Sequence, residues 1–336
     1  MSDVALQPAT DGAGGRGGIG RTKRIMHDRP GRIDRLFDRV TLLAGLFVLV
    51  ILALVGIFLL FQARHALAES GWSFFTRTVW RTDLHPAQIG VLGLLFGTVV
   101  VSIVAVVIAV PVGVVTALYI AEYAPLKARK LLQGLMDLLA AIPSLLFGIW
   151  GFLFLQGQIV PLSRWLTTYL GWIPIFHTEA NASLTNSIFI AGVVVSLMVI
   201  PIVASITRAV FAQTPPGEKE AALALGSTHW GMVRSVVLPY GRAGIIGGSM
   251  LGLGRALGET IAVTLLLPQV PLISSHILQF GGATIAGFIA QRAGADPFTV
   301  SGLMAAGLVL FIITLGTNLI ASTVVSRSRS GAGVDL

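Results

Sequence analysis

Arg255 and Glu259 lie four residues apart in the stretch 243–267, which carries no other charge. Residues at i and i+4 share one face of a helix, so this spacing predicts an ion pair within that helix. A guanidinium stays charged at any relevant pH, and its fork donates parallel hydrogen bonds to carboxylate and phosphate oxygens. Arg255 is therefore the candidate contact for an anion, with Glu259 tuning it; the alternative is a purely structural ion pair. The rest of the sequence offers little other chemistry. It has no cysteine, which excludes thiol nucleophiles, disulfides and cysteine-ligated metals. It has no G-x-x-x-x-G-K-[ST] phosphate loop, so ATP hydrolysis by this chain is not expected. No His/Glu zinc spacing, Ser/His/Asp arrangement or basic-aromatic stripe occurs. An enzyme in its own right, a resident metal or cofactor, and a nucleic-acid partner are accordingly not expected.

A second constellation occupies 214–239. Pro215 and Pro216 can open a helix, Glu218 and Glu220 favour its positive end, and Gly226 can supply the left-handed residue that ends it. Ser227 is then placed to cap a second helix, on which Trp230, Val233 and Val237 repeat at helical spacing and which Pro239 closes. Two short helices with apolar faces and no partner in their own chain suit docking into a groove on another protein. His229 and Trp230 read as contacts or packing rather than as chemistry.

Membrane spans must position these residues. Of 336 residues 54% are hydrophobic and only 11% charged, against about 25% charged in soluble domains. Apolar runs of about 18 residues or more with few or no charges read as spans, because about 20 residues at 1.5 Å each cross the hydrocarbon. Six emerge: 40–63, 85–122, 131–163 with Asp137 in it, 180–207, 243–267, and 297–326. Pro111 suggests a kink or tilt in the second, and Pro143 and Pro201 free carbonyls in the third and fourth. Asp137 reads as an interfacial or packing residue near the cytoplasmic end of its span. Gly247, Gly248, Gly252, Gly254 and Gly258 give the fifth helix a small-residue face for close packing. Residues 268–291 are uncharged but broken by Pro268, Pro271, Gly281 and Gly282, and read as an extracytoplasmic loop with a short interfacial helix. The segment 165–177, with Trp165, Tyr169, Trp172 and Phe176, suits the headgroup level.

The net charge of +8 rests on 23 Lys plus Arg against 15 Asp plus Glu, and the placement of the basic residues gives it meaning. Arg16, Arg21, Lys23, Arg24, Arg29, Arg32, Arg35 and Arg39 precede the first span. Lys127, Arg129 and Lys130 follow the second, Arg208, Lys219, Arg234 and Arg242 the fourth, and Arg327 and Arg329 the sixth. That places 17 on one side, against five on the other: Arg64, Arg77, Arg81, Arg164 and Arg292. The positive-inside rule then puts both termini in the cytoplasm. Residues 1–39 read as a disordered cytoplasmic basic tail, 40–326 as the membrane domain with a cytoplasmic loop at 212–241, and 327–336 as a cytoplasmic tail. Ala66-Leu67-Ala68 imitates a signal-peptidase site, but the long basic preface and the uncharged run fit a retained anchor.

The spacing Glu220-Ala221-Ala222, three residues, Gly226, nine residues, Val236, one residue, Leu238-Pro239 resembles the EAA signature of importer-type ABC transporter permeases, with Val236 where Ile is usual. The run 252–260, containing Arg255 and Glu259, resembles the PstC-type permeases of phosphate importers. Ala141-Ile142-Pro143-Ser144 with Phe147-Gly148 and Trp150-Gly151 looks like the same subunit. The likeness covers 32–327. It implies an all-α integral membrane protein of type I ABC importer permease architecture, with six transmembrane helices, in the bacterial plasma membrane. It also implies that Glu220, Ala221, Ala222, Gly226, Trp230, Leu238 and Pro239 belong to a loop that inserts into an ATPase subunit. By the same resemblance Arg255 and Glu259 take part in phosphate transport. The implied partners are a homologous second permease in a heterodimer, two ATPase subunits that bind ATP and Mg, and an extracytoplasmic phosphate-binding protein. Two other readings stand beside this one. A permease for sulfate or molybdate would share the architecture, whereas an ion-coupled secondary transporter would need no EAA loop and would usually show the duplicated halves that this sequence lacks. A membrane scaffold would explain the spans but not the loop.

Overall fold

The computed structural model describes residues 31–82 and 88–329, apart from the side chains of Arg32 and of 326–329. The tail residues Arg16, Arg21, Lys23, Arg24 and Arg29 lie outside the described residues, as do His85, the side chains of Arg327 and Arg329, and the stretch 330–336. The chain divides into two units, 1–52 and 53–336. The described part of the first belongs to helix α1 (Arg32–Ser70), whose first turn is capped where Gly31 N–H donates to Asp34 Oδ2 at 2.9 Å.

In the second unit the remaining helices are α2 (Leu92–Tyr123), α3 (Leu126–Ala141), α4 (Ser144–Leu170), α5 (Ile188–Phe211), α6 (Pro216–Ala224), α7 (His229–Tyr240), α8 (Arg242–Leu257), α9 (Ile261–Leu266), α10 (Ile285–Gln291) and α11 (Pro297–Arg329). Strands β1 (Trp80–Arg81) and β2 (Gln88–Ile89) pair antiparallel, Trp80 opposite Ile89. Among the described residues α1, α2, α4, α5 and α11 are long and apolar enough to cross a membrane, and the bent pair α7–α8, with a 63° angle between its parts, makes the sixth candidate. The helical class and the six candidate spans read from the sequence are those observed.

Helix α5 is the centre of the bundle, with 72% of its most apolar stretch buried against 33% for α2 and α11. Its residues Val194, Val195, Val199 and Val203 pack with Val101, Ala105 and Ala109 of α2 in the main core. Lipid tails are as apolar as valine, so helix association in a membrane depends on close van der Waals contact rather than on exclusion of water. The α5–α8 contact shows the consequence. A Cβ at Gly252 would stand 2.6 Å from Val199 Cγ1, and one at Gly244 2.6 Å from Val210 Cγ2. The small-residue face is therefore a packing face toward α5 at Gly248 and Gly252, while Gly247 and Gly254 turn toward Val325 and Asn318 of α11.

Several boundaries differ from the sequence reading, each for a local reason. The second span starts at Leu92 rather than 85, because Gln88 and Ile89 are used in the ribbon. It runs unbroken through Pro111 and ends in a π turn, Tyr119–Tyr123, where Ala124 N–H donates to Tyr119 O at 2.8 Å just ahead of Pro125. The expected third span, 131–163, is cut at Pro143. Ile142 is extended (ψ 128°) as residues before proline tend to be, and Pro143 follows at ψ 139°. What precedes the cut is α3, an amphipathic helix that carries Lys127, Arg129, Lys130 and Asp137. Asp137 thus lies outside the third span, which is α4 and reaches Leu170 with Trp165 and Tyr169 near its end, their ring centroids 5.3 Å apart. The fourth span begins at Ile188, not 180, where Ser187 Oγ accepts Ile190 N–H.

The segment 268–291 is only partly a surface loop: Val270, Leu272, Ile273 and Phe280 are exposed, whereas 281–288 are buried. Leu278, Ala283, Ile285 and Phe288 are wholly buried, in cores that also hold Ala63 and Ala66 of α1 and Leu303 and Ala306 of α11. Two of its buried N–H groups find side-chain acceptors: Gln269 Oε1 accepts Thr284 N–H, and Thr98 Oγ1 of α2 accepts Ile285 N–H at 2.9 Å. The short helix expected at the interface is α10, which is buried on its first turn. Ser301 ties α11 to α1 by donating to Gln62 O and accepting Ala66 N–H. At the start of α11 Asp296 accepts hydrogen bonds from Thr299 Oγ1 and N–H, which hold its carboxyl below the ordinary range.

Candidate functional site

The loop 212–241 folds as two helices joined by a left-handed turn. Pro216 occupies the first turn of α6, where its missing N–H is not needed. At the other end Gly226 has φ +84°. Its N–H donates to Leu223 O at 2.9 Å, and Ser227 N–H donates to Ala222 O at 3.2 Å, the paired bonds of a Schellman motif. No atom lies within 4 Å of the place a Cβ would take at Gly226, so glycine is required there by backbone conformation and not by space.

The second helix departs from expectation at both ends. Thr228, not Ser227, caps α7, its Oγ1 accepting Gly231 N–H at 3.1 Å. Pro239 does not close the helix, which continues to Tyr240. A π turn over Val233–Val237 lets Leu238 N–H donate to Val233 O immediately before the proline, which has no N–H to offer.

One face of α7 is already covered. Met232, Val233 and Val237 are at most 2% exposed and pack with Ala117 of α2 and Phe211 of α5, with Ala222 and Leu238 alongside. The expectation of two helices without a partner in their own chain is corrected to that extent. Periodicity reveals an apolar face but not what covers it. The large apolar groups that this loop leaves exposed are Leu225 at 89%, Trp230 at 55%, Leu223 at 43% and Tyr240 at 38%, beside the exposed Glu220, Ala221 and Pro239. Residues far away in sequence hold the loop from above. Lys219 Nζ lies 2.6 Å from Glu122 Oε1, and the His229 ring packs edge-on against Tyr123 at 4.7 Å. Glu122 and Tyr123 were not singled out by the sequence. The one available signal was that Glu122 ends an uncharged run at the side rich in basic residues.

Arg255 and Glu259 are not brought together as a pair. Helix α8 stops at Leu257, with Gly258 as its cap, and Glu259 N–H donates to Ala256 O in a tightened last turn. Glu259 therefore falls beyond the helix, and the i, i+4 geometry does not apply. It is 7% exposed, and its Oε1 accepts Ala262 N–H at 3.3 Å at the start of α9. Arg255, in the last turn of α8, is exposed on the described chain. The one ion pair among the described residues is that of Lys219 with Glu122. An exposed guanidinium on an apolar helix needs water, an anion or another chain beside it, since lipid would cost about 2.5–3.5 kcal/mol.

Against known proteins, a family model described as "Binding-protein-dependent transport system inner membrane component" matches residues 109–330. The chain is 41% identical over 309 residues to "Phosphate transport system permease protein PstC 2" of Mycobacterium tuberculosis, covering 90% of this chain and 95% of that protein. It is 40% identical over 310 residues to the phosphate transport system permease protein PstC of Mycobacterium leprae, with 90% and 95% covered. To the protein of that description from Pasteurella multocida it is 36% identical over 320 residues, with 93% and 97% covered. Among solved structures, a crystal structure of a bacterial ABC transporter involved in the import of the acidic polysaccharide alginate covers 88% of this chain and 99% of its own, with TM-score 0.54 and 18% identity. That likeness is one of fold.

Proposed function

The chain belongs to the family of binding-protein-dependent transport system inner membrane components, and we propose that within it this protein is the membrane-spanning permease subunit of an ATP-driven phosphate importer. The observation that carries the proposal is the likeness to phosphate permeases, which extends over nearly the whole of both chains. In this reading both termini are cytoplasmic, and the chain forms half of a pathway with a homologous second permease. Two ATPase subunits bind ATP and Mg on the cytoplasmic side, and an extracytoplasmic phosphate-binding protein delivers the load.

The geometry supports a division of labour within the chain. Leu223, Leu225 and Trp230 are the most exposed large apolar groups of 212–241, and they are the docking contacts for an ATPase subunit. Closing of the ATPase pair on ATP would move α6 and α7, and with them α2 and α5, on which α7 is packed. The pathway past Arg255 then switches between inward- and outward-facing. Arg255 attracts the tetrahedral oxyanion through parallel N–H donors. With no ion pair to neutralise it among the described residues, the guanidinium is available to each anion in turn. Glu259 shapes the same stretch by capping α9 immediately after the break.

The test is Arg255→Gln in the assembled complex. Gln keeps hydrogen-bonding capacity but loses the charge, so phosphate uptake is expected to be abolished while the complex still co-purifies. Full transport by that variant would remove Arg255 from the pathway.

A further inference from the structure

The cytoplasmic loop and the outer core meet on one helix. At its cytoplasmic end α2 carries the π turn Tyr119–Tyr123, and every residue of that turn's second half makes a contact outside the helix. Glu122 pairs with Lys219 of α6 at 2.6 Å, with side chains only 7% and 21% exposed. Tyr123 packs against His229 of α7, and Ala121 O accepts Arg129 Nη2 of α3 at 2.7 Å. At its other end α2 meets the buried segment that leads into α10. Thr98 Oγ1 accepts Ile285 N–H, and only a glycine at 97 lets Ala283 O approach so closely. Between these ends the helix is unbroken.

The two kinds of contact at the cytoplasmic end differ in what they can transmit. The apolar face of Met232, Val233 and Val237 on Ala117 and Phe211 is non-directional and resists separation more than sliding. A short, largely buried charge pair fixes position, because moving either partner leaves a desolvated charge unpaired. We propose that Lys219 and Glu122 are positioning residues that lock the docking loop in register with α2, so that movement of the loop is delivered along α2 to the segment 283–288 at the opposite end. The proposal rests on the reading that 212–241 docks an ATPase subunit. It adds the residues through which that docking is converted into movement of the pathway.

The experiment uses the complete complex reconstituted in proteoliposomes and reads phosphate moved per ATP hydrolysed. Glu122 lies outside the docking contacts, so Glu122→Gln should assemble and hydrolyse ATP much as the native complex does. With the charge gone from Glu122 the loop is no longer locked in register with α2, so the transported-to-hydrolysed ratio should fall about tenfold or more. The charge-reversed double variant Glu122→Lys with Lys219→Glu should recover most of the ratio. A pair that serves stability alone would lower uptake and hydrolysis together and leave the ratio unchanged, and that result would overturn the proposal. So would a double variant no better than Glu122→Gln. If the native complex moves sulfate in place of phosphate, the substrate assignment fails on its own, since the ratio is then read with the oxyanion that is moved.

Discussion

Replacing Gly226 by alanine isolates the backbone requirement of the docking loop. The residue sits at φ +84° with open space around it, so an added methyl group meets no neighbour and its cost is conformational only. An L-residue held in the left-handed region costs roughly 1–2 kcal/mol. The loop can relieve that strain by giving up the Schellman bonds of Gly226 and Ser227 to Leu223 O and Ala222 O, which frays the end of α6 and displaces Leu225. Either way the docking conformation is penalised by about that amount, which corresponds to roughly 5- to 30-fold weaker capture of the ATPase subunit. The measurement is a binding isotherm between the permease in nanodiscs and the separately purified ATPase. Gly226→Asn is the control, because asparagine tolerates the left-handed region and should bind within a few-fold of the native chain. Equal weakening by Ala and Asn would show that the side chain and not the backbone matters. Unchanged binding by Gly226→Ala would refute the claim that the turn sets the docking geometry.

Three further outcomes are expected. Gly252→Val puts a branched side chain where even a Cβ would be 2.6 Å from Val199 Cγ1; over-packing of about 1–3 kcal/mol should lower the thermal stability of the solubilised chain, and an unchanged melting temperature would contradict the close α5–α8 contact. Glu259→Ala removes the acceptor at the start of α9 and should destabilise the chain by about 1 kcal/mol, while Glu259→Gln keeps an oxygen there and should not; denaturation of both variants distinguishes a cap from a charge requirement. Asp296, held below the ordinary carboxylate range by Thr299, stabilises the start of α11 above its unfolded pKa and ceases to do so as the pH falls through the folded value. The Thr299 amide NMR shift should therefore titrate with a midpoint below that of a free aspartate and be flat over this range in Asp296→Asn. A midpoint at or above the ordinary value would contradict the hydrogen bonds described.

What could be read from the sequence depended on how far apart the interacting residues lie. The spans follow from runs of uncharged residues, and Gly226 from its place between two helical patterns, because both are local. The cut at Ile142-Pro143 was written in the sequence but was outweighed by the uncharged length around it. A proline joined to a preceding segment with three basic residues was the better guide. The buried position of 281–288 is not legible, since prolines and glycines signal the end of a helix without saying whether the chain then faces water or core. The Arg255–Glu259 pairing failed for a related reason. Spacing of four implies one helical face only if the helix persists, and Gly258 ends it between them. The link of Glu122 to Lys219 joins residues 97 apart and could be seen only in the structure.

Whether this chain is the permease of an importer that moves phosphate at the expense of ATP is measured most directly by reconstituting it with its second permease, ATPase and binding protein in proteoliposomes and following labelled phosphate and labelled sulfate in parallel. ATP-dependent accumulation of phosphate is expected, with sulfate at background, and loss of the phosphate signal when this chain is omitted. Accumulation of sulfate with phosphate at background, or phosphate accumulation that proceeds without this chain, would contradict that reading.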